Sequence, residues 1–149
     1  MPLATTLATA LATGLSGLAT LAAAQVSAPM AAETLDAELI AYRWAARPIV
    51  VFADDPADPR LATQLDRFER DEARLAERDS VVIVDANPGF ATPLRRRFAP
   101  SGFTVVLVGK DGGEKYRRAG VVAVDALTTR IDAMPMRRRE IEQRRASGN

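Results

Sequence analysis

Asp54, Asp55 and Asp58 stand around Pro56 in an acidic loop that ends at Pro59. Paired carboxylates can divide acid and base roles when their surroundings push their pKa values apart, and clustered ones can supply oxygen ligands to Ca2+. The spacing opposes a calcium loop, which alternates its ligands along the chain and turns on a glycine. Capping fits better. Asp58 precedes Pro59, a proline suited to the first position of a helix, and Asp54 and Asp55 stand where the positive end of a helix dipole favours negative charge. A second group comprises Trp44 and Arg47, before the apolar run Ile49 to Ala53, and Asp132 and Arg137, on either side of Met134-Pro135-Met136. Either Arg47 and Asp132 meet in a polar pocket, or Trp44 and the methionines pack the core while the charges pair at its edge; packing is the favoured reading. The candidate ligand-binding residues are therefore Trp44, Arg47, Asp54, Asp55, Asp58, Asp132 and Arg137. No catalytic residue, metal or cofactor is assigned.

Composition removes most other chemistry. The 149 residues include no cysteine, which excludes thiol catalysis, thiolate zinc sites and iron–sulfur clusters, and no histidine, which excludes the Ser-His-Asp triad and imidazole ligands. The net charge of +1 is unevenly spread. Residues 33–79 carry 7 basic and 12 acidic side chains, a balance of −5, whereas residues 80–149 carry 13 and 7, a balance of +6. The runs Arg95-Arg96-Arg97, Arg117-Arg118 and Arg137-Arg138-Arg139 suggest a basic face for nucleic acid or anionic lipid. They lack the interleaved aromatics of single-strand binders, so solvated arginines and no nucleic-acid partner are expected.

The elements that position these residues follow from hydrophobic periodicity. Leu35, Leu39, Tyr42 and Trp44 have near-helical spacing, with Thr34 or Asp36 as cap. The short β-branched run Ile49 to Ala53 suits a strand buried on both faces. Leu61, Leu65, Phe68 and Leu75 form one stripe of a helix of about five turns, with Asp66–Arg70 and Asp71–Arg74 as intrahelical pairs. Ser80 to Asp85 is a second strand, parallel to the first across a βαβ unit. Asn87-Pro88-Gly89 is a turn, Thr92-Pro93 opens a short basic helix to Phe98, and Pro100-Ser101-Gly102 breaks it. Phe103 to Val108 is a third strand, turned at Lys110-Asp111-Gly112-Gly113 into an antiparallel fourth, Glu114 to Arg118. Asp125 is expected to cap a last helix bearing Leu127, Ile131 and Met134, and Pro135 kinks it or opens another segment to about Arg145.

No charged residue precedes Glu33, and Leu3 to Ala24 is an Ala/Leu/Thr-rich run with small residues at Ala22 and Ala24. Residues 1–24 are expected to be a signal peptide cut after Ala24, although the usual basic n-region is missing. Hydroxyl and glycine residues between Thr5 and Thr20 argue against a permanent span. The expected organisation is a signal peptide at 1–24, a linker at 25–35, a domain at 36–145 and a disordered tail at 146–149. The expected location is periplasmic or secreted, with no integral membrane span after signal removal.

The order βαβ, α, ββα is that of an α/β thioredoxin-like sandwich with a central mixed four-stranded sheet, and Phe103 to Tyr116 looks like the third strand and hairpin of thioredoxins and peroxiredoxins. On that alignment the acidic loop stands where those enzymes carry their active-site cysteine. Leu39-Ile-Ala-Tyr-Arg-Trp-Ala-Ala-Arg47, Gly109-Lys-Asp-Gly112, and Arg130-Ile-Asp-Ala-Met-Pro-Met-Arg137 with Glu140 together resemble a bacterial family of unknown function. Its P-DUDES-like domain also occurs in secreted sushi-repeat and coiled-coil matrix proteins. The resemblance implies a peroxiredoxin-like thioredoxin fold, export and no thiol-dependent site, and it carries over no catalytic residue. The resulting expectation is an exported, redox-inactive thioredoxin-like domain that binds a protein or small ligand of the cell envelope. The alternative is a carboxylate-dependent enzyme using the acidic loop, and a purely structural envelope protein is a third possibility.

Overall fold

The computed structural model describes residues 30–31, 35–86, 89 and 92–148. The apolar leader, the cap expected at Thr34 and the Asn87-Pro88 part of the turn lie outside them. Among the described residues five strands form one sheet in the order β1-β3-β2-β4-β5. They are β1 (Met30–Ala31), β2 (Arg47–Phe52), β3 (Ser80–Asp85), β4 (Thr104–Val108) and β5 (Glu114–Ala119). The four foreseen strands make up its body, and Met30–Ala31 adds a two-residue edge parallel to β3 within the stretch expected to be linker. Central β2 lies parallel to β3 and antiparallel to β4, and all six of its residues are buried, as its apolar run requires.

Among the described residues six helices cover the sheet: α1 (Leu35–Tyr42), α2 (Pro59–Arg70), α3 (Glu72–Ala76), α4 (Pro93–Phe98), α5 (Val124–Asp132) and α6 (Pro135–Ala146). Side chains alternate across a strand, so β2 and β4 feed two cores. Ile49, Val51, Val105 and Leu107 pack with Leu61, Phe68, Leu75, Leu127 and Ile131 from α2, α3 and α5. Val50, Phe52, Val106 and Val108 pack with Leu39, Leu94 and Phe98 from α1 and α4. The two layers of helices thus clamp β2 from both sides.

Several local expectations change. The five-turn helix is interrupted at Asp71, a weak helix former whose carboxylate accepts from Arg74 Nη1 at 3.0 Å. Leu61, Phe68 and Leu75 nevertheless all face the sheet, and both foreseen intrahelical ion pairs form. Asp125 is not a cap: α5 starts one residue earlier, behind Ala123, and Asp125 accepts from Arg74 Nη2 at 2.5 Å. Trp44 does not pack the core. It is 62% exposed in a left-handed conformation (φ 69°), because the chain reverses sharply between α1 and β2 and its N–H is drawn to the Lys110 carbonyl at 2.7 Å. The helical stripe also contains Gln64, which is fully buried. Its Nε2 donates to the Val122 carbonyl at 3.1 Å and its Oε1 accepts from the Val122 N–H at 2.7 Å, docking the segment before α5 onto α2.

Replacing that amide leaves two buried backbone groups without partners. Gln64→Leu should lower the unfolding free energy by about 2–4 kcal/mol in urea denaturation. A loss below about 1 kcal/mol would mean that Val122 does not depend on this amide.

Candidate functional site

The candidate residues separate to the two ends of β2. Arg47 is its first residue and Asp54 follows its last by two, a run of about 20 Å in extended chain. At the C-terminal end of β2, the acidic loop is engaged in local bonds. Asp58 caps α2, accepting from the Arg60 N–H at 2.8 Å, and Asp55 accepts from the Ala57 N–H at 2.8 Å. The hydrogen bond from the Arg60 side chain, before any other cause, holds the Asp58 carboxyl below its ordinary pKa. Asp54 meets Arg95 Nη1 at 3.1 Å.

Arg95 closes this end. Its Nε reaches Asp85 at 3.0 Å, and its Nη2 donates to the carbonyls of Ala53 (2.6 Å) and Asp85 (3.1 Å), so one guanidinium ties the ends of β2 and β3. Asp85 is fully buried and also accepts from the Thr92 hydroxyl at 2.5 Å. Nor are the other basic runs a uniformly solvated face. Arg117 donates to the Phe98 carbonyl at 2.7 Å, Arg97 to the Gly112 carbonyl, and Arg137 is only 1% exposed. Planar guanidinium groups fasten loop carbonyls to neighbouring elements, while Arg138 and Arg139 remain exposed.

The opposite end holds the larger charge cluster. Arg47, 1% exposed, donates Nη2 to Glu140 at 2.9 Å and Nη1 to the Arg78 carbonyl at 2.8 Å, with Asp79 3.8 Å away. Lys110 Nζ bridges Asp79 (2.8 Å) and Glu140 (2.9 Å). Arg137 reaches Glu77 at 2.9 Å and Asp132 at 3.4 Å, and Arg78 forks onto both oxygens of Asp132 at 2.9 and 2.7 Å. Arg47 and Asp132 thus belong to one network without sharing a bond. Trp44 joins its margin only through the backbone bond to Lys110.

Beside this network lies a cleft of about 330 Å3. Gly109, Lys110, Asp111 and Lys115 line it from the turn between β4 and β5; Met134, Pro135, Met136 and Arg139 line it from the junction of α5 and α6; Arg47 represents β2. At Gly109 a Cβ would stand 2.5 Å from Lys115 Cε and 2.6 Å from Asp111 Oδ1, so any larger residue would have to push these side-chain ends aside. Lys110, Glu140, Glu77 and Asp79 were not singled out as site residues from the sequence. The signals available were a charged residue opening a buried strand and the i, i+3 pair Arg137–Glu140. Among the described residues no group of carboxylates gathers as a metal-ligand set.

Burial opposes ionisation of Glu140, but hydrogen bonds from Arg47 and Lys110 and their charges outweigh it and hold the carboxyl below its ordinary 4.5. Asp132 is held below 3.8 in the same way, by Arg78 and Arg137 against burial. Both folded-state pKa values are lowered, so the unfolded chain binds more protons. The stabilisation is complete above the unfolded values and is lost as pH falls through the folded ones. The thermal midpoint should therefore drop as pH falls below about 4.5, and Glu140→Gln should flatten part of that slope. An unchanged slope in the variant would contradict the ion pairing.

Two comparisons with solved structures bear on the fold. Fasciola hepatica thioredoxin matches at 17% identity over 70% of this chain and 95% of its own, with a TM-score of 0.51, and that likeness shows a thioredoxin-like fold. StoA from Bacillus subtilis matches at 11% identity over 58% of this chain and 82% of its own, with a TM-score of 0.37. No curated protein matches the sequence. The family model described as a domain of unknown function (DUF4174) matches residues 38–140, most of the chain and all of the ion-pair network from Arg47 to Glu140. The protein is a member of the DUF4174 family.

Proposed function

We propose that this is an exported, redox-inactive thioredoxin-like module that binds a ligand in the cleft between the β4–β5 turn and the α5–α6 junction. The observation that carries the reading is the state of the carboxylates. Asp55 and Asp58 are held by local hydrogen bonds and Asp54 by Arg95, and the displaced carboxyl pKa values, those of Asp58, Asp111, Glu114, Asp132 and Glu140, are all displaced downward. A general acid working near neutral pH needs the opposite displacement. The absence of cysteine removes thiol chemistry from the fold. Of the candidate residues, Arg47 lines the cleft, Trp44, Asp132 and Arg137 belong to its surroundings, and the acidic loop serves the far end of the sheet.

Export is supported by the uncharged run before Glu33 and the small residues at Ala22 and Ala24. No helix among the described residues is long and apolar enough to cross a membrane. Trp44 is the only tryptophan, and its backbone is bonded to Lys110 of the cleft, so its emission can report occupancy.

The protein should be incubated with a mixture of organic acids, amines and neutral compounds while Trp44 emission and compound masses are followed. Binding predicts saturable emission changes, compounds recovered unchanged, and the same behaviour after Asp54, Asp55 and Asp58 are all changed to Asn. Chemical conversion that vanishes in that triple variant would establish the carboxylate enzyme instead.

A further inference from the structure

We propose that the outer edge of β5 takes an extended acidic segment of another protein, which joins the sheet as a further strand. β5 ends the sheet order, with β4 on one side and no strand on the other among the described residues. Its six residues are exposed apart from half-buried Tyr116.

The phase of the β4–β5 ladder determines which backbone groups face outward. Gly120 stands opposite Phe103, one step beyond the Thr104–Ala119 pair, and donates its N–H to the Phe103 carbonyl at 3.0 Å. Bonded and non-bonded pairs alternate along an antiparallel ladder. Arg118, opposite Val105, and Tyr116, opposite Leu107, therefore spend their backbone groups on β4, whereas Arg117 and Ala119 turn N–H and C=O away from it. The register shift between Leu107 and Val108 confines the regular part of the edge to this end. An added strand docks on such outward groups, and its side chains decide which strand is accepted.

Charge selects the occupant. Arg118 pairs with Val105 and so emerges on the α5 side, where Arg130 Cζ lies 5.6 Å from the Tyr116 ring centroid. Arg117 pairs with Val106 and emerges on the α4 side, as does Arg97, which donates to the Gly112 carbonyl. The neighbouring carboxylates are already engaged: Glu114 holds Arg117 at 2.7 Å and Asp111 holds Lys115 at 2.6 Å. Arg97, Arg118 and Arg130 are exposed and take part in no salt bridge among the described residues, so both flanks of the edge keep uncompensated positive charge. Part of the +6 balance of residues 80–149 is thus gathered here. Side chains of an added strand alternate between the two faces, and adjacent acidic residues would meet one flank each. A second copy of the chain would bring the same positive excess against itself, which opposes self-pairing.

The test titrates 15N-labelled protein with the acetylated, amidated hexapeptide TVEEVT, with TVKKVT, and with TVEEVT N-methylated at both glutamates. Adjacent residues of a strand point their N–H groups in opposite directions, so one of the two methyl groups must meet β5 in any register. TVEEVT should slow hydrogen exchange of the Arg117 and Ala119 amides saturably, and the other two peptides should bind at least about tenfold more weakly. Arg118→Glu should weaken TVEEVT at least about fivefold, whereas Arg138→Glu, the same charge change on α6, should stay within about twofold. Equal binding of the N-methylated peptide would reduce the contact to charge attraction without strand addition and overturn the proposal. Equal binding of TVKKVT, no response to any peptide, or unchanged affinity in Arg118→Glu would overturn it as well. Protection of Arg117 and Ala119 that rises with protein concentration alone would give the edge to a second copy and also overturn it.

Discussion

The first residue of the central strand is an arginine that cannot lose its charge. Arg47 is 1% exposed, and a buried guanidinium with no partner would cost several kcal/mol. Its compensation comes from two places in the chain, Glu140 on α6 and the Arg78 carbonyl with Asp79 in the turn before β3, and Lys110 in the turn after β4 is held by the same two carboxylates. Each bond fixes one segment against the base of the sheet. An apolar residue at this position would pack, but it would not dictate where α6 begins or how the β4–β5 turn is held. The cleft between those two segments follows from that dictated placement.

The other end of β2 is closed by a similar device with a different outcome. Arg95 crosses the ends of β2 and β3 and satisfies Asp54, Asp85 and two carbonyls, while Asp58 spends its oxygens on capping α2. Junctions of strand and helix are where α/β folds usually place chemistry. Here each of the three loop aspartates is engaged by a neighbouring group of the protein. The basic, partly apolar cleft lies at the opposite end, between the β4–β5 turn and the start of α6.

The strands and their order were legible because short β-branched runs such as Ile49 to Ala53 and Thr104 to Val108 have one economical arrangement once a helix separates the parallel pair. The Asp58 and Thr92 caps were legible because each stands directly before a proline. Trp44 was misjudged because size suggested burial, whereas a reversal between α1 and β2 imposed a left-handed backbone at that residue. The ion network was invisible as a unit: Arg47 and Glu140 are 93 residues apart, and nothing local to either announces the other. Arginine runs that read as solvated surface proved to be mixed, since Arg137 is buried beside exposed Arg138 and Arg139. Gln64 could have been found, because 61, 64, 65 and 68 share one helical face.

The most direct test of the account is a double-mutant cycle between Arg47→Met and Glu140→Met, read by urea denaturation. If the buried pair organises the base of the sheet, its coupling should exceed about 2 kcal/mol, with the double variant less destabilised than the two single changes together. A coupling below about 0.5 kcal/mol, the size seen for exposed pairs, would contradict it.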